Sequence, residues 1–194
     1  MSQGSHKQHY NIKSEAIWTP RSRIVGSHVP ATVLDWLLDK ASLTKRLQAA
    51  CQGKFRVRVL SQGWARPMLN EAHVLGIEPR RMALIRQVEL LCNNTPWVCA
   101  RTIIPRTTLS GPLRKLAHLQ SQSLGAILFA SPTMQRDEVE ITNIASTSKT
   151  HRLLARSGAK LPETLWGRRS VFHVFDRPLL VCEFFLPAMQ KLHF

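Results

Sequence analysis

Two ionisable residues stand where the surrounding chain is almost wholly apolar. Glu183 is the one carboxylate in Pro178-Leu-Leu-Val-Cys-Glu-Phe-Phe-Leu-Pro187, whose other nine residues are apolar or proline. Arg86 interrupts a second run, Ala83-Leu-Ile-Arg-Gln-Val-Glu-Leu-Leu-Cys92. Continuous apolar runs of this length, bounded by turn residues, read as strands covered on both faces. Side chains alternate along a strand, which groups Glu183 with Leu179, Val181 and Phe185. The same alternation groups Arg86 with Leu84, Val88, Leu90 and Cys92, and leaves Gln87 and Glu89 to mark a wetter opposite side. A carboxylate among apolar neighbours is costly unless it takes up a proton or finds a cation, and Arg86 is the best candidate cation. One inward acid and one inward guanidinium suit a closed pocket for a small, partly anionic molecule. The same two residues suit a structural ion pair inside the core, and the pattern alone leaves both readings open.

The elements that must position them follow from the rest of the chain. Residues 1–30 are polar, basic and broken by prolines, and read as a mobile or draped tail, leaving 31–194 as one domain. Thr32–Lys40 has the spacing of a short amphipathic helix, and Ser42 is placed to cap a second helix from Leu43 to Cys51. Phe55–Leu60 alternates apolar residues with arginines and predicts a half-exposed strand, followed by an irregular, lid-like loop over 61–80. Asn93-Asn94 predicts the turn of a hairpin between 81–92 and 96–105, and Arg101 on the second strand either joins the pocket or sits at an edge. Ser123–Phe129 reads as a short capped helix whose first amides, around Leu124, are suited to a carboxylate. Met134–Ile141 reads as a strand, 145–163 as a basic insertion without periodicity, and Trp166–Phe175 as the strand that turns at Asp176-Arg177-Pro178 into the Glu183 strand. Helices first, then a meander of about six strands joined by hairpins, give an antiparallel sheet and the α+β class.

Composition narrows the classes of function. A chain of 194 residues supports one domain with a substantial core. A hydrophobic share of 44% with 20% charged residues is ordinary for a globular protein, and no apolar stretch is long enough to span a bilayer. The start, Met1-Ser-Gln-Gly-Ser-His-Lys7, has no apolar core and is not a secretory signal, so the expected compartment is the cytoplasm. Cys51, Cys92, Cys99 and Cys182 sit in apolar contexts without C-x-x-C spacing and read as buried, reduced thiols. Scattered histidines and the lack of a phosphate- or dinucleotide-binding glycine loop point to no metal and no nucleotide cofactor. A net charge of +15 fits nucleic acid, an anionic membrane surface, an anionic metabolite, or a solvated surface without a partner. The basic residues are spread rather than bunched with aromatics, which weighs against nucleic acid.

An ordered series of segments resembles bacterial chorismate pyruvate-lyase. It comprises Ser42-Leu-Thr-Lys-Arg46, Leu84–Cys92, Pro96-Trp97, Arg101-Thr-Ile-Ile-Pro105, Leu109-Ser-Gly-Pro112, Leu124-Gly125, Arg136-Asp137, Ile141, Trp166-Gly-Arg-Arg-Ser170 and Glu183–Ala188. The resemblance runs from about residue 33 to 188. It implies a monomer with a six-stranded antiparallel sheet, no cofactor, and a buried ligand under flap-like segments. It also implies that Glu183, Arg86 and the backbone at Leu124 and Leu43 hold the aromatic product, 4-hydroxybenzoate. Leu43 stands where Met is expected in the best-known members, a tolerable exchange if only its carbonyl is used, and the 145–163 insertion is longer than the family leads one to expect.

The resemblance implies a reaction in which chorismate, a dianion, loses its enolpyruvyl group as pyruvate while its ring becomes aromatic. Arg86 and the amide near Leu124 are then expected on the ring carboxylate, with Glu183 at the opposite end as general acid. Two other readings stand beside it. A similar fold serves as the effector-binding domain of some bacterial repressors, although residues 1–30 are too short and irregular for their DNA-binding module. An RNA-binding protein rests on charge alone and requires affinity that falls steeply with salt.

Overall fold

Alternating and continuous apolar runs make one antiparallel sheet in the structure, a computed structural model that describes residues 15–24, 29–156, 158 and 160–190. Its strands are β1 (Thr19–Pro20), β2 (Phe55–Ala65), β3 (Ala83–Cys92), β4 (Thr95–Pro105), β5 (Gln135–Arg136), β6 (Glu140–Ala145), β7 (Thr164–Val174) and β8 (Arg177–Phe185). They lie in the order β1-β6-β7-β8-β4-β3-β2, with β5 added beside β7. The α+β class and the six principal strands match expectation, and the two extra strands are only two residues each. The helices are α1 (Ala31–Leu38), α2 (Leu43–Ala50), α3 (Leu69–Val74), α4 (Leu124–Phe129), α5 (Lys149–Arg156) and α6 (Pro187–Gln190), with a 3-10 helix over Gly111–His118. Two-residue turns join β3 to β4 and β7 to β8. Their residues, Asn93 (φ 48), Asn94 (φ 68), Phe175 (φ 50) and Asp176 (φ 56), take the left-handed conformation that matches strand twist in tight hairpins.

The pleat divides the side chains between two faces with different covers. On the front, α1 and α2 bury Trp36, Leu37 and Leu47 against Val88, Val98 and Phe185. Farther along that face, the 3-10 helix and α4 bury Leu113, Leu116 and Leu128 against Leu84, Phe172 and Leu179. On the back, Leu154 of α5 joins Cys99, Ile103, Leu165, Leu180 and Phe184. Both helix starts that matter to the front are capped as expected. Ser42 Oγ accepts from the Lys45 amide, and Ser123 Oγ accepts from the Ala126 amide at 3.3 Å.

Several expectations are corrected. Strand β2 continues past Leu60 to Ala65, because a bulge between Val59 and Ser61 resets the register and erases the alternation that would have revealed it. The supposed loop over 61–80 also holds α3, whose start is tied down by carboxylates: Glu71 accepts from the Met68 amide and Glu15 from Leu69 and Asn70. The insertion at 145–163 contains α5, with Thr150, His151 and Leu154 buried; its apolar stripe is too short to stand out among polar neighbours. The single strand expected over 134–141 is two, because the chain leaves β7 after Arg136 and rejoins it as β6 at Glu140. Gln87 and Glu89 are not on a wetter side, being 5% and 1% exposed beneath the back-face cover.

Cys51 and Cys92 form a disulfide, against the expectation of four reduced thiols. The end of α2 and the end of β3 bring their Cα atoms to 5.7 Å, inside the bridging range, and a separation of 41 residues hides that proximity from local spacing. Cys99 and Cys182 are free and buried. Of the expected tail, residues 1–14 and 25–28 lie outside the described residues, as do 191–194 at the other end of the expected domain. The stretch from Glu15 to Ile24 is draped along the sheet: Thr19 pairs with Ile141 and the Ala16 amide donates to Thr150 Oγ1.

Candidate functional site

The two front-face clusters meet over a cavity floored by the four central strands. Strand β3 contributes Arg86, Val88 and Leu90, β4 contributes Ala100 and Thr102, β7 contributes Arg168 and Phe172, and β8 contributes Val181 and Glu183. The starts of α2 and α4 close it, through Leu43 and Thr44 on one side and Leu124 and Gly125 on the other. These two starts are clasped by a hydrogen bond of 2.7 Å between Thr44 Oγ1 and Ser123 Oγ. A Cβ on Gly125 would stand 3.0 Å from Thr44 Oγ1, so glycine is what permits the close approach.

All four residues proposed from the sequence, Glu183, Arg86, Leu124 and Leu43, line this one cavity. Glu183 and Arg86 are not each other's partners, because β4 lies between β3 and β8. Glu183 Oε2 instead accepts from Arg168 Nε at 2.6 Å, and Arg168 Nη1 donates to the carbonyls of Trp36 (2.8 Å) and Asp39 (2.7 Å). Among the described residues Arg86 donates only to neutral oxygens: Gln62 Oε1 (2.8 Å), Gln120 O (2.6 Å) and Gln122 O (3.3 Å). Burial lowers the Arg86 pKa from its ordinary value, the mark of a guanidinium taken from water without a counter-charge. A structural Glu183–Arg86 pair is therefore excluded, and Arg86 faces apolar walls with no carboxylate among the described residues in ion-pair contact.

Four further side chains were missed. Arg168 lies in the Trp166–Ser170 segment, and its parity with Trp166, Ser170 and Phe172 on β7 was the available signal. Arg136 reaches the cavity from β5, donating to Ser170 Oγ (3.0 Å) and to the carbonyls of Asp39 (3.3 Å) and Lys40 (3.2 Å). Thr44 and Ser123 were visible only as helix-start residues. Arg101, left open between pocket and edge, does neither: it points to the back and binds both oxygens of Glu71, at 2.7 and 3.0 Å.

The arrangement can accept a flat apolar ring between Val88, Leu90, Phe172 and Val181, an anionic group at Arg86, and a polar or reacting group at Glu183. Among the described residues no group of three or more His, Cys, Asp or Glu is placed to hold a metal. No helix among them is long and apolar enough to cross a membrane.

Comparison with known proteins gives the family and the fold. A family model described as chorismate lyase matches residues 12–192, beginning inside the stretch set apart as a tail. A probable chorismate pyruvate-lyase of Methylococcus capsulatus is 44% identical over 157 residues, 81% of this chain and 96% of that protein. The corresponding protein of Psychromonas ingrahamii is 37% identical over 91% of this chain and 93% of its own. Among solved structures, the effector domain of PhnF from Mycobacterium smegmatis aligns with a TM-score of 0.54 at 14% identity, covering 78% of this chain and 91% of that one. A transcriptional regulator of the GntR family from Bacillus cereus aligns with a TM-score of 0.51 at 12% identity, over 73% and 96%. At such identities the structural likeness speaks for the fold alone.

Proposed function

The chain belongs to the chorismate lyase family, and from that premise we propose that it is a chorismate pyruvate-lyase, converting chorismate to 4-hydroxybenzoate and pyruvate at the entry to ubiquinone synthesis. The observation that carries the site assignment is a buried arginine without a carboxylate, Arg86, facing the same apolar slot as Glu183.

The chemistry asks little of the protein. One carbon–oxygen bond breaks, the ring gives up one proton, and the departing enolpyruvyl group takes one up to become pyruvate. Atoms balance without water or any other reactant, and aromatisation supplies the driving force. The protein's tasks are to desolvate and orient the ring and to move one proton. In this reading Arg86 and the backbone at Leu124 hold the ring carboxylate, and the backbone at Leu43 helps fix the opposite end. Glu183, oriented by Arg168, handles the proton at the departing ether oxygen. The Thr44–Ser123 clasp then marks where the cover must open for exchange.

By the same family resemblance the protein works as a monomer without a cofactor. Light scattering checks the first, and undiminished turnover after exhaustive chelation checks the last. The Cys51–Cys92 bond is at odds with the cytoplasm expected from the sequence, since cytosolic thiols are kept reduced. A count of free thiols in protein quenched at lysis decides the point.

The decisive experiment mixes purified protein with chorismate and follows ultraviolet absorbance and released pyruvate together. Stoichiometric 4-hydroxybenzoate and pyruvate, lost in folded Arg86→Ala and Glu183→Ala variants, is the expected result. Tight binding of 4-hydroxybenzoate without turnover would instead make the chain an effector-binding module of the same fold.

A further inference from the structure

Three guanidinium groups, Arg86, Arg136 and Arg168, line the cavity against one carboxylate, Glu183. Arg168 alone of the three is matched by it. Arg86 and Arg136 meet only neutral oxygens, and no carboxylate among the described residues lies within 4.0 Å of either. Arg136 Nε is committed to Ser170 and its Nη1 to the Asp39 and Lys40 carbonyls, while its Nη2 donates to none of the described residues. Its guanidinium carbon lies 5.2 Å from the centre of the Phe172 ring, on the wall of the apolar slot.

Two guanidiniums with no carboxylate in ion-pair contact among the described residues face a substrate class with two carboxylates. Resting on the chorismate reading above, we propose that Arg136 anchors the second carboxylate, the one on the enolpyruvyl arm that departs as pyruvate, while Arg86 keeps the ring carboxylate that remains in the product. Placement supports the division. Arg136 stands on β5, held to β7 opposite Phe172, and borders both the cavity and an outer crevice that it shares with Lys40 and Asp137. The departing arm therefore lies along the wall nearest solvent. Burial, with Arg168 beside it, pushes the Arg136 guanidinium down to about 10 even though the carboxylates of Glu183 and Asp39 act on it from beyond contact, a cost that an incoming carboxylate relieves.

Arg136 also pins the link between α1 and α2, so the test must separate ligand contact from a purely supporting role. Arg136→Gln is expected to raise KM for chorismate about 10- to 100-fold, the range for losing a charge-assisted contact, while Kd for 4-hydroxybenzoate stays within about twofold. Arg136→Lys should recover part of the KM. Equal weakening of substrate and product overturns the assignment in favour of support for the Asp39–Lys40 link, and no change in either overturns it outright. If both variants unfold, the wild-type chain answers alone. It should bind 3-(carboxymethoxy)benzoate about tenfold or more tighter than 3-methoxybenzoate, and equal affinities overturn the proposal. The underlying reading fails separately, and takes the assignment with it, if the wild-type chain releases no pyruvate from chorismate.

Discussion

Strand β7 carries two arginines side by side, and the pleat sends them to opposite faces with opposite fates. Arg169 points back, where Glu140 Oε2 accepts from its Nε at 2.7 Å and Asn70 Oδ1 from its Nη1 at 3.0 Å. On the same face Arg101 is held by both oxygens of Glu71, with both side chains at most 4% exposed. Arg169 and Arg101 thus each have their own carboxylate, and neither lines the front-face cavity. The front face holds Arg168, Arg86 and Arg136 around an open slot, and among the described residues Glu183 is the carboxylate that lines it, paired to Arg168. Buried charge that is fully matched serves the fold, whereas buried charge left over beside open space is a candidate for ligand contact.

Breaking each side in turn sharpens the contrast. Glu183→Gln on the front should lower kcat by about 10²- to 10⁴-fold, measured as pyruvate release, and near-normal turnover would remove Glu183 from proton handling. Glu71→Ala on the back should cost about 3–5 kcal/mol in denaturant unfolding, because Arg101 is left buried and unpaired. KM for chorismate should be unmoved in the folded fraction, and replacing both partners, as Glu71→Leu with Arg101→Met, should recover most of the stability. A front-face effect of either change would blur the division drawn here between the two sets of arginines.

Smaller effects bound the comparison. Opening the Cys51–Cys92 link in a Cys51→Ala/Cys92→Ala variant should lower unfolding free energy by about 3–4 kcal/mol, as the loss of a 41-residue closure predicts. Its mark on turnover should be slight, since neither cysteine lines the cavity. Arg81→Ala, which removes an exposed pair with Glu78, should change stability by less than about 1 kcal/mol and leave binding alone. A larger effect there would show that surface charge, and not burial, governs these arginines.

Local chemistry made much of the molecule legible. The apolar runs announced β3 and β8, Asn93-Asn94 announced their hairpin neighbour, and Ser42 and Ser123 announced two helix starts, because each signal lies within a few residues of what it specifies. Glu183 and Arg86 stood out for the same reason: a charge in an apolar strand is conspicuous to its immediate neighbours. Strand order was not local, and it decided the rest. By setting β4 between β3 and β8 and β7 on the far side of β8, it gave Glu183 to Arg168 and left Arg86 unmatched. Pairing through a sheet depends on which strands become neighbours across many residues of chain, and no window of sequence contains that information. The disulfide across 41 residues, the burial of Glu89 under the back cover and the arrival of Arg136 at the cavity were settled in the same way, by tertiary packing.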